Sequence, residues 1–354
     1  MLNISLVMIV KNEENNLATC LSSVNKFVDE IIVVDTGSID NTKEIAVRHG
    51  AIVYDYEWSN DFAAARNFAL TKSTSRWNLI LDADEQILRW DKEKVDSLLL
   101  KEQSIGKVCI KNKFVQNNEE RYSQTYISRL LPKGMVYQGK IHEQVVSDLP
   151  RLEFPIEILH TGYSETDKSK RNIAILNEEL RSDSNNGYIH YQLARQYKKM
   201  DLLEEAEASF REAYLQVNSL EGYFTDLVVN YIYTLIELKK FYSVFEIVDQ
   251  MNVPLRNSPD FNFVTGLFYM HFVLSDTEEN IDFIPLIERA YLICIALGEQ
   301  QQREIVIGTG SFLAAYNLGV YYEMFNQKDK AKNYYKLSAK YNYAPAKLRL
   351  MNLK

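Results

Sequence analysis

Trp77-Asn78-Leu79-Ile80-Leu81-Asp82-Ala83-Asp84-Glu85 decides how the first half of the chain folds. An apolar run ends abruptly in two acids separated by Ala83. A short run of this kind suits a strand buried on both faces. Its acids then fall at the strand's carboxyl end, the edge where open α/β sheets bind ligands. Two carboxylates one residue apart can share a divalent cation, which can in turn hold a diphosphate. An isolated Asp-x-Asp serves equally well to begin a turn and cap a helix, so its meaning rests on what precedes it.

Upstream, strand and helix signals alternate. Ile4–Val10 reads as a strand, and residues 12–24 have helical spacing with Leu17, Cys20, Leu21 and Val24 on one face. Glu30–Asp35 is a second buried strand ending in an acid. After the turn Thr36-Gly37-Ser38-Ile39-Asp40, Asn41 with Glu44 has the spacing of a capping box for a helix that Gly50 stops. Residues 51–56 predict a third strand and residues 61–71 a helix, before the acidic strand. Short connections between these elements predict a parallel sheet with right-handed crossovers.

Asp35 and Asp82 both end strands, so a nucleotide lying across the strand ends would meet both. A sheet-end carboxylate can accept hydrogen bonds from a base or ribose. The chain has no Gly-x-Gly-x-x-Gly and no Walker loop, which leaves phosphate binding to a metal and a basic side chain. Arg66 is the best candidate, because a guanidinium matches phosphate oxygens in a fork.

At 354 residues, two domains are expected. A net charge of −8 without a basic block argues against nucleic acid as a partner. Cys20, Cys109 and Cys294 are widely spaced, as reduced thiols of a cytoplasmic protein would be. The apolar N-terminus lacks a basic leader and a small-residue cleavage site, and the acid-rich Lys11-Asn12-Glu13-Glu14 follows it; it reads as a first strand. No apolar run reaches the length of a membrane span.

Four motifs then appear in order: Val10-Lys11-Asn12-Glu13-Glu14, Val33-Val34-Asp35-Thr36-Gly37-Ser38-Ile39-Asp40-Asn41-Thr42, Asp61-Phe62-Ala63-Ala64-Ala65-Arg66-Asn67 and Leu81-Asp82-Ala83-Asp84-Glu85. Together they resemble the family 2 glycosyltransferases of the GT-A fold, an α/β Rossmann-like nucleotide-sugar-binding sheet, over residues 3–163. The resemblance implies a nucleoside diphosphate sugar as donor (UDP-linked), a Mg2+ or Mn2+ ion, and inversion at the anomeric carbon. It implies donor contacts from Val10, Asn12, Glu13, Asp35, Arg66, Asp82 and Ala83. The metal would be served by Asp82 and Asp84, with His160 of Leu159-His160-Thr161-Gly162-Tyr163 completing its shell. Many relatives carry their catalytic base in a Glu-Asp pair. This chain has Gly139-Lys140-Ile141-His142-Glu143-Gln144 instead, which leaves His142 and Glu143 as alternatives, Glu143 slightly ahead. A cation stabilises the charge growing on the leaving diphosphate, and a base helps the acceptor attack from the opposite face.

From about Asp167 the strand signals vanish. In Gly187–Leu220 and again in Phe312–Pro345, small and aromatic residues fall where a 34-residue tetratricopeptide repeat packs its two helices. Two degenerate units are expected around Gly222–Val253 and Asp260–Leu297, the latter with an insertion near Ser275–Asp282. The expected organisation is a GT-A domain over residues 1–165 and an all-α tetratricopeptide-like solenoid over residues 166–354. The solenoid would hold an acceptor or pair two copies as a homodimer. Similarity to the bacterial group that includes the sublancin S-glycosyltransferase implies a peptide acceptor, at Cys or Ser. The same architecture also suits cell-surface saccharides. A repeat-domain adaptor with an inactive transferase fold is the alternative function. A nucleotidyltransferase on a related sheet is a third, weakened by the absent glycine-rich phosphate loop.

Overall fold

A computed structural model describes residues 3–101, 103–116, 119–161, 166–300 and 305–353. The chain divides into two compact units, Met1–Ser182 and Asp183–Lys354. The helix Thr166–Ser182 therefore belongs with the first unit.

The first unit contains β1 (Ile4–Val10), α1 (Leu17–Val24), β2 (Glu30–Asp35), α2 (Thr42–Arg48), β3 (Ile52–Asp55), α3 (Phe62–Lys72), β4 (Trp77–Ile80), β5 (Glu85–Trp90), α4 (Lys92–Lys101), β6 (Ile105–Gln116), β7 (Glu119–Pro132), β8 (Val136–Gln138), β9 (Gln144–Val146), β10 (Arg151–His160) and α5 (Thr166–Ser182). Its main sheet runs β3-β2-β1-β4-β7-β6-β10-β5. The first four strands are parallel, as expected, and β7 joins β4 antiparallel. β8 and β9 form a separate antiparallel hairpin. The apolar strand runs are buried because helices cover both faces: every residue of β4 is buried, as are most of β1 and β2. In register, Val10 pairs with Asp35 and Asp35 with Asp55, so these carboxyl ends form one edge.

Two local expectations change. The first helix starts at Leu17, five residues later than predicted at residue 12. The backbone N–H groups of Asn12, Glu13 and Glu14 instead donate to Ser38 Oγ, Thr42 Oγ1 and Asp40 Oδ2 across the second turn, and Asn12 sits at φ 55°. The amphipathic face itself holds: Leu17, Cys20, Leu21 and Val24 are fully buried. The capping box of Asn41 and Glu44 does not form. Asn41 donates its side-chain amide to Glu14, and Asp40 accepts the Thr42 N–H at 3.0 Å in its place. By contrast, Asp61 caps α3, accepting from the Ala64 N–H at 2.8 Å.

The second unit is helical: α6 (Gly187–Lys199), α7 (Leu203–Gln216), α8 (Phe224–Glu237), α9 (Phe241–Met251), α10 (Pro259–Ser275), α11 (Ile284–Leu297), α12 (Phe312–Met324), α13 (Lys328–Ala339) and α14 (Ala344–Asn352). Consecutive helices pack as hairpins, α6 with α7, α8 with α9, α10 with α11 and α12 with α13. The predicted insertion lies between α10 and α11, where a turn and one 3-10 turn (Ile281–Phe283) intervene. Ala194, Ala206, Ala213, Ala314 and Ala331 are fully buried where helices approach. Rings such as Tyr191 and Tyr223, stacked with centroids 4.9 Å apart, fill the gaps between hairpins. Pro345 lies in the first turn of α14, the place where a missing N–H does no harm.

Candidate functional site

The acids of the opening stretch occupy the turn between β4 and β5, at the carboxyl end of the parallel half of the sheet. Asp82 meets two arginines there. Arg66 Nη2, from α3, lies 2.7 Å from Asp82 Oδ1, and Arg129 Nη2, from β7, lies 2.8 Å from Asp82 Oδ2. Arg129 Nη2 also donates to Glu85 Oε1 at 2.6 Å, and Glu85 Oε2 accepts the Asp82 N–H at 2.9 Å. Arg66 Nε donates to Glu143 in a close ion pair. Burial works against ionisation of Asp82. Arg129 and Arg66 outweigh it and hold the carboxyl well below the usual carboxylate range. For Glu85, which is 2 % exposed, burial prevails over Arg129 and the carboxyl is pushed up. Tyr137, beneath the Arg66 guanidinium at 5.9 Å from ring centroid to Cζ, is pushed up to about 12 by burial.

Asp84 points elsewhere. Its Oδ2 is 3.3 Å from His160 Nε2. Register explains the meeting: His160, the last residue of β10, pairs with Glu85 on β5 and with Asn112 on β6. Asn112 Oδ1 lies 3.0 Å from His160 Nδ1. Both ring nitrogens face acceptors: Asn112 Oδ1 accepts from Nδ1–H, and Asp84 Oδ2 accepts from Nε2–H when the ring is protonated. Burial lowers the affinity of this imidazole for a second proton, but Asp84 more than offsets that and raises its pKa above the ordinary value.

These residues fit a divalent cation. Neighbouring ligands about 2.1 Å from one ion stand about 3 Å apart, close to the Asp84–His160 separation. Asn112, accepting from Nδ1–H, would fix the ring for a metal on Nε2. Asp82, Glu85 and Glu143 contact the two guanidiniums, which leaves Asp84, beside His160, as the carboxylate whose charge a cation would balance. Among the described residues, no three His, Cys, Asp or Glu side chains converge as a closed metal cage requires. A cation here would take two protein ligands and complete its shell with phosphate oxygens and water.

The remaining predicted donor residues lie along the neighbouring strand ends. Asp35 Oδ1 accepts the N–H groups of Gly37 and Ser38 at 3.0 and 2.9 Å, while its Oδ2 is buried without a hydrogen-bond partner. Asn12 Oδ1 accepts the Ile39 N–H, lacing the first two motifs together. Val10 and Ala83 are buried, and Glu13 accepts from Asn16. Arg66 does not present the predicted fork, since Nε and Nη2 are engaged by Glu143 and Asp82. Only its Nη1, buried and without a partner, is left. His142 adopts the left-handed φ of 52° beside Glu143. Gly162 and Tyr163 lie outside the described residues.

The sequence assigns no role to Arg129, Asn112 or, although it closes the acidic motif, Glu85. Arg129 left a trace, as a charge just before the apolar Leu130-Leu131 of a strand. Asn112 left none.

A mixed sheet whose parallel half ends in paired acids, followed by helical hairpins, is the GT-A arrangement joined to an all-α repeat region. Residues 5–152 match the model described as Glycosyl transferase family 2; the first unit carries a domain of that family. The chain is 37 % identical over 155 residues to the TPR repeat-containing protein Synpcc7942_0270 of Synechococcus elongatus, covering 43 % of this chain and 38 % of that protein. It is 29 % identical over 211 residues to the SPbeta prophage-derived glycosyltransferase SunS of Bacillus subtilis, covering 56 % of this chain and 50 % of that protein. The chain thus spans half or less of the length of these curated relatives. A match over 56 % of the chain cannot fit within residues 5–152, so the likeness to SunS runs on past the family domain. Among solved structures, glucosyl-3-phosphoglycerate synthase from Mycobacterium tuberculosis in complex with Mn2+, UDP and phosphoglyceric acid is 24 % identical, covering 31 % of this chain and 42 % of that one, with a TM-score of 0.26. MamA is 16 % identical, covering 52 % of this chain and 97 % of that one, with a TM-score of 0.39.

Proposed function

We propose that this chain is a metal-dependent inverting glycosyltransferase. It takes a hexosyl group from a nucleoside diphosphate sugar, UDP-linked, and delivers it to a peptide side chain (Cys or Ser) or to a saccharide hydroxyl. The observation that carries this reading is the Asp84–His160 pair, 3.3 Å apart at the sheet edge beside the Arg66–Asp82–Arg129 network.

Each residue then has a task. Asp35 Oδ2, buried and unpartnered, accepts a hydrogen bond from the nucleoside. Asp84 and His160 would hold a Mg2+ or Mn2+ ion, which when bound would neutralise charge on the leaving diphosphate. Both Asp82 oxygens face guanidiniums, so Asp82 acts by orienting Arg66 and Arg129. Arg66 Nη1 is the one donor of that guanidinium left for a phosphate oxygen. Glu143, held by Arg66, or His142 beside it takes the acceptor's proton as the acceptor attacks the anomeric carbon. The bond from that carbon to the diphosphate oxygen breaks, with inversion. The buried, unpaired thiols of Cys20, Cys109 and Cys294 suit a cytoplasmic setting. No helix among the described residues is long and apolar enough to cross a membrane.

Calorimetric titration with UDP-glucose and UDP-GlcNAc, with and without Mn2+, tests the donor half. Metal-dependent binding and slow donor hydrolysis are expected. If no common sugar nucleotide binds, the reading fails. Mass spectrometry of Cys- and Ser-containing peptides and of oligosaccharides then separates the two acceptor classes.

A further inference from the structure

The segment Gly139–Glu143 bears both alternatives for the base, and its backbone is unusual. Gly139 has φ 92° and His142 φ 52°. Glycine takes this conformation freely, but a left-handed histidine persists only where the surroundings fix it. Three contacts fix this loop, and all meet at Lys140. Its carbonyl accepts the N–H of Phe62, the first residue of α3, at 2.8 Å. Its own N–H donates to Glu179 Oε1 at 2.7 Å, and its Nζ to Glu178 Oε1 at 2.6 Å. Both glutamates lie on α5, which is anchored by the buried Ile175 and Leu176 and by Arg171, 5.1 Å over the Phe62 ring. At the end of the loop, Glu143 is tied to Arg66, four residues along α3 from Phe62.

We infer that Glu179 is a positioning residue of the transfer reaction: by accepting the Lys140 N–H it holds the loop so that Glu143 and His142 face the acceptor side. This rests on the function proposed above. The bond that matters is the one from backbone to carboxylate. The Lys140–Glu178 ion pair joins two exposed side chains, with 41 % and 57 % of their surface open, and contributes little. Glu179 is half-buried, and burial pushes its carboxyl up despite Lys140. The carboxyl oxygen accepts the Lys140 N–H in either protonation state. The helix that follows the family 2 domain thus becomes part of the catalytic unit.

The test compares Glu179→Ala, Glu179→Gln and Glu178→Gln in the full-length chain, reading UDP-sugar hydrolysis (kcat and KM) and the Kd for UDP with Mn2+. Glu179→Ala should lower kcat roughly ten- to a hundredfold, because a displaced base loses its geometry, with the UDP Kd unchanged within about twofold. Glu179→Gln retains an acceptor oxygen and should restore most of the rate, while Glu178→Gln should match the wild type. The inference is overturned if Glu179→Ala keeps the wild-type kcat, if kcat and UDP binding fall together, or if Glu179→Gln is as impaired as Glu179→Ala. Absence of donor turnover in the wild type would remove the functional reading, and this inference with it.

Discussion

Arg129 Nη2 bridges two acids, lying 2.8 Å from Asp82 Oδ2 and 2.6 Å from Glu85 Oε1. The two acids are three residues apart in a turn, and the arginine comes from a strand 47 residues beyond Asp82. It is 8 % exposed, so its charge is compensated by those acids and little by water. Removing one partner of such a buried group leaves the others uncompensated.

Arg129→Met should therefore destabilise the first unit by about 3–5 kcal/mol. Trp58, Trp77 and Trp90 are the chain's tryptophans and all lie in this unit. Urea unfolding followed by tryptophan fluorescence thus reports on it selectively. Adding Glu85→Gln should recover part of the loss, since a neutral amide has no charge to compensate. Wild-type stability in Arg129→Met would show that the bridge is not structural.

The pairing of a carboxylate with an imidazole at Asp84 and His160 should favour Mn2+ over Mg2+, the harder and more exclusively oxygen-seeking ion. Titration of the protein with UDP and each metal should show tighter Mn2+ binding. His160→Ala should narrow the gap between the metals, and Asp84→Ala should abolish metal-dependent UDP binding. The His160 pKa is raised by Asp84, so protons compete with the metal from above the ordinary histidine value downward. Mn2+ affinity should fall as pH drops through that range. A His160→Ala variant with unchanged preference and unchanged pH dependence would remove His160 from the metal site.

The strand ends that form the site were legible because their signal is local: an apolar run stopping at an acid fixes both burial and position at Asp35 and Asp82. The repeat helices were legible through their period. The partners of the charged groups were not. Arg66 and Glu143 are 77 residues apart, and nothing near either one indicates the other. Arg66 therefore read as a phosphate fork, when two of its nitrogens are spent within the protein. The start of α1 was misplaced for a similar reason, because the side chains that capture the N–H groups of residues 12–14 belong to a different turn.

Packing of the last repeat hairpin can be tested at Gly319 in α12. A Cβ there would come 2.4 Å from Tyr335 Cε1 on α13. In an exposed helix, Gly→Ala stabilises by about 1 kcal/mol. Here overpacking should reverse the sign, and Gly319→Ala should destabilise the helical unit by about 1–3 kcal/mol. Far-UV circular dichroism is weighted towards this unit, which holds most of the helix among the described residues, and tryptophan fluorescence should stay unchanged. A stabilised Gly319→Ala variant would disprove the close helix approach.

Asp260 in the first turn of α10 gives the second unit its own pH dependence. Its carboxylate is buried, accepting the Val306 N–H at 3.0 Å and the Thr309 hydroxyl at 2.5 Å. Burial prevails over these bonds and pushes its pKa from 3.8 up to about 7. Between those values the folded chain holds a proton that the unfolded chain has lost, so stability is complete below about pH 4 and declines as pH rises towards 7. The full difference corresponds to at most about 4 kcal/mol. Asp260→Asn can still accept the Thr309 hydroxyl but cannot titrate. Thermal unfolding of the helical unit followed by circular dichroism from pH 4.5 to 7.5 should therefore show a declining midpoint in the wild type and a flatter profile in the variant. Parallel profiles would mean that Asp260 stays ionised throughout, held by its two donors against the desolvation.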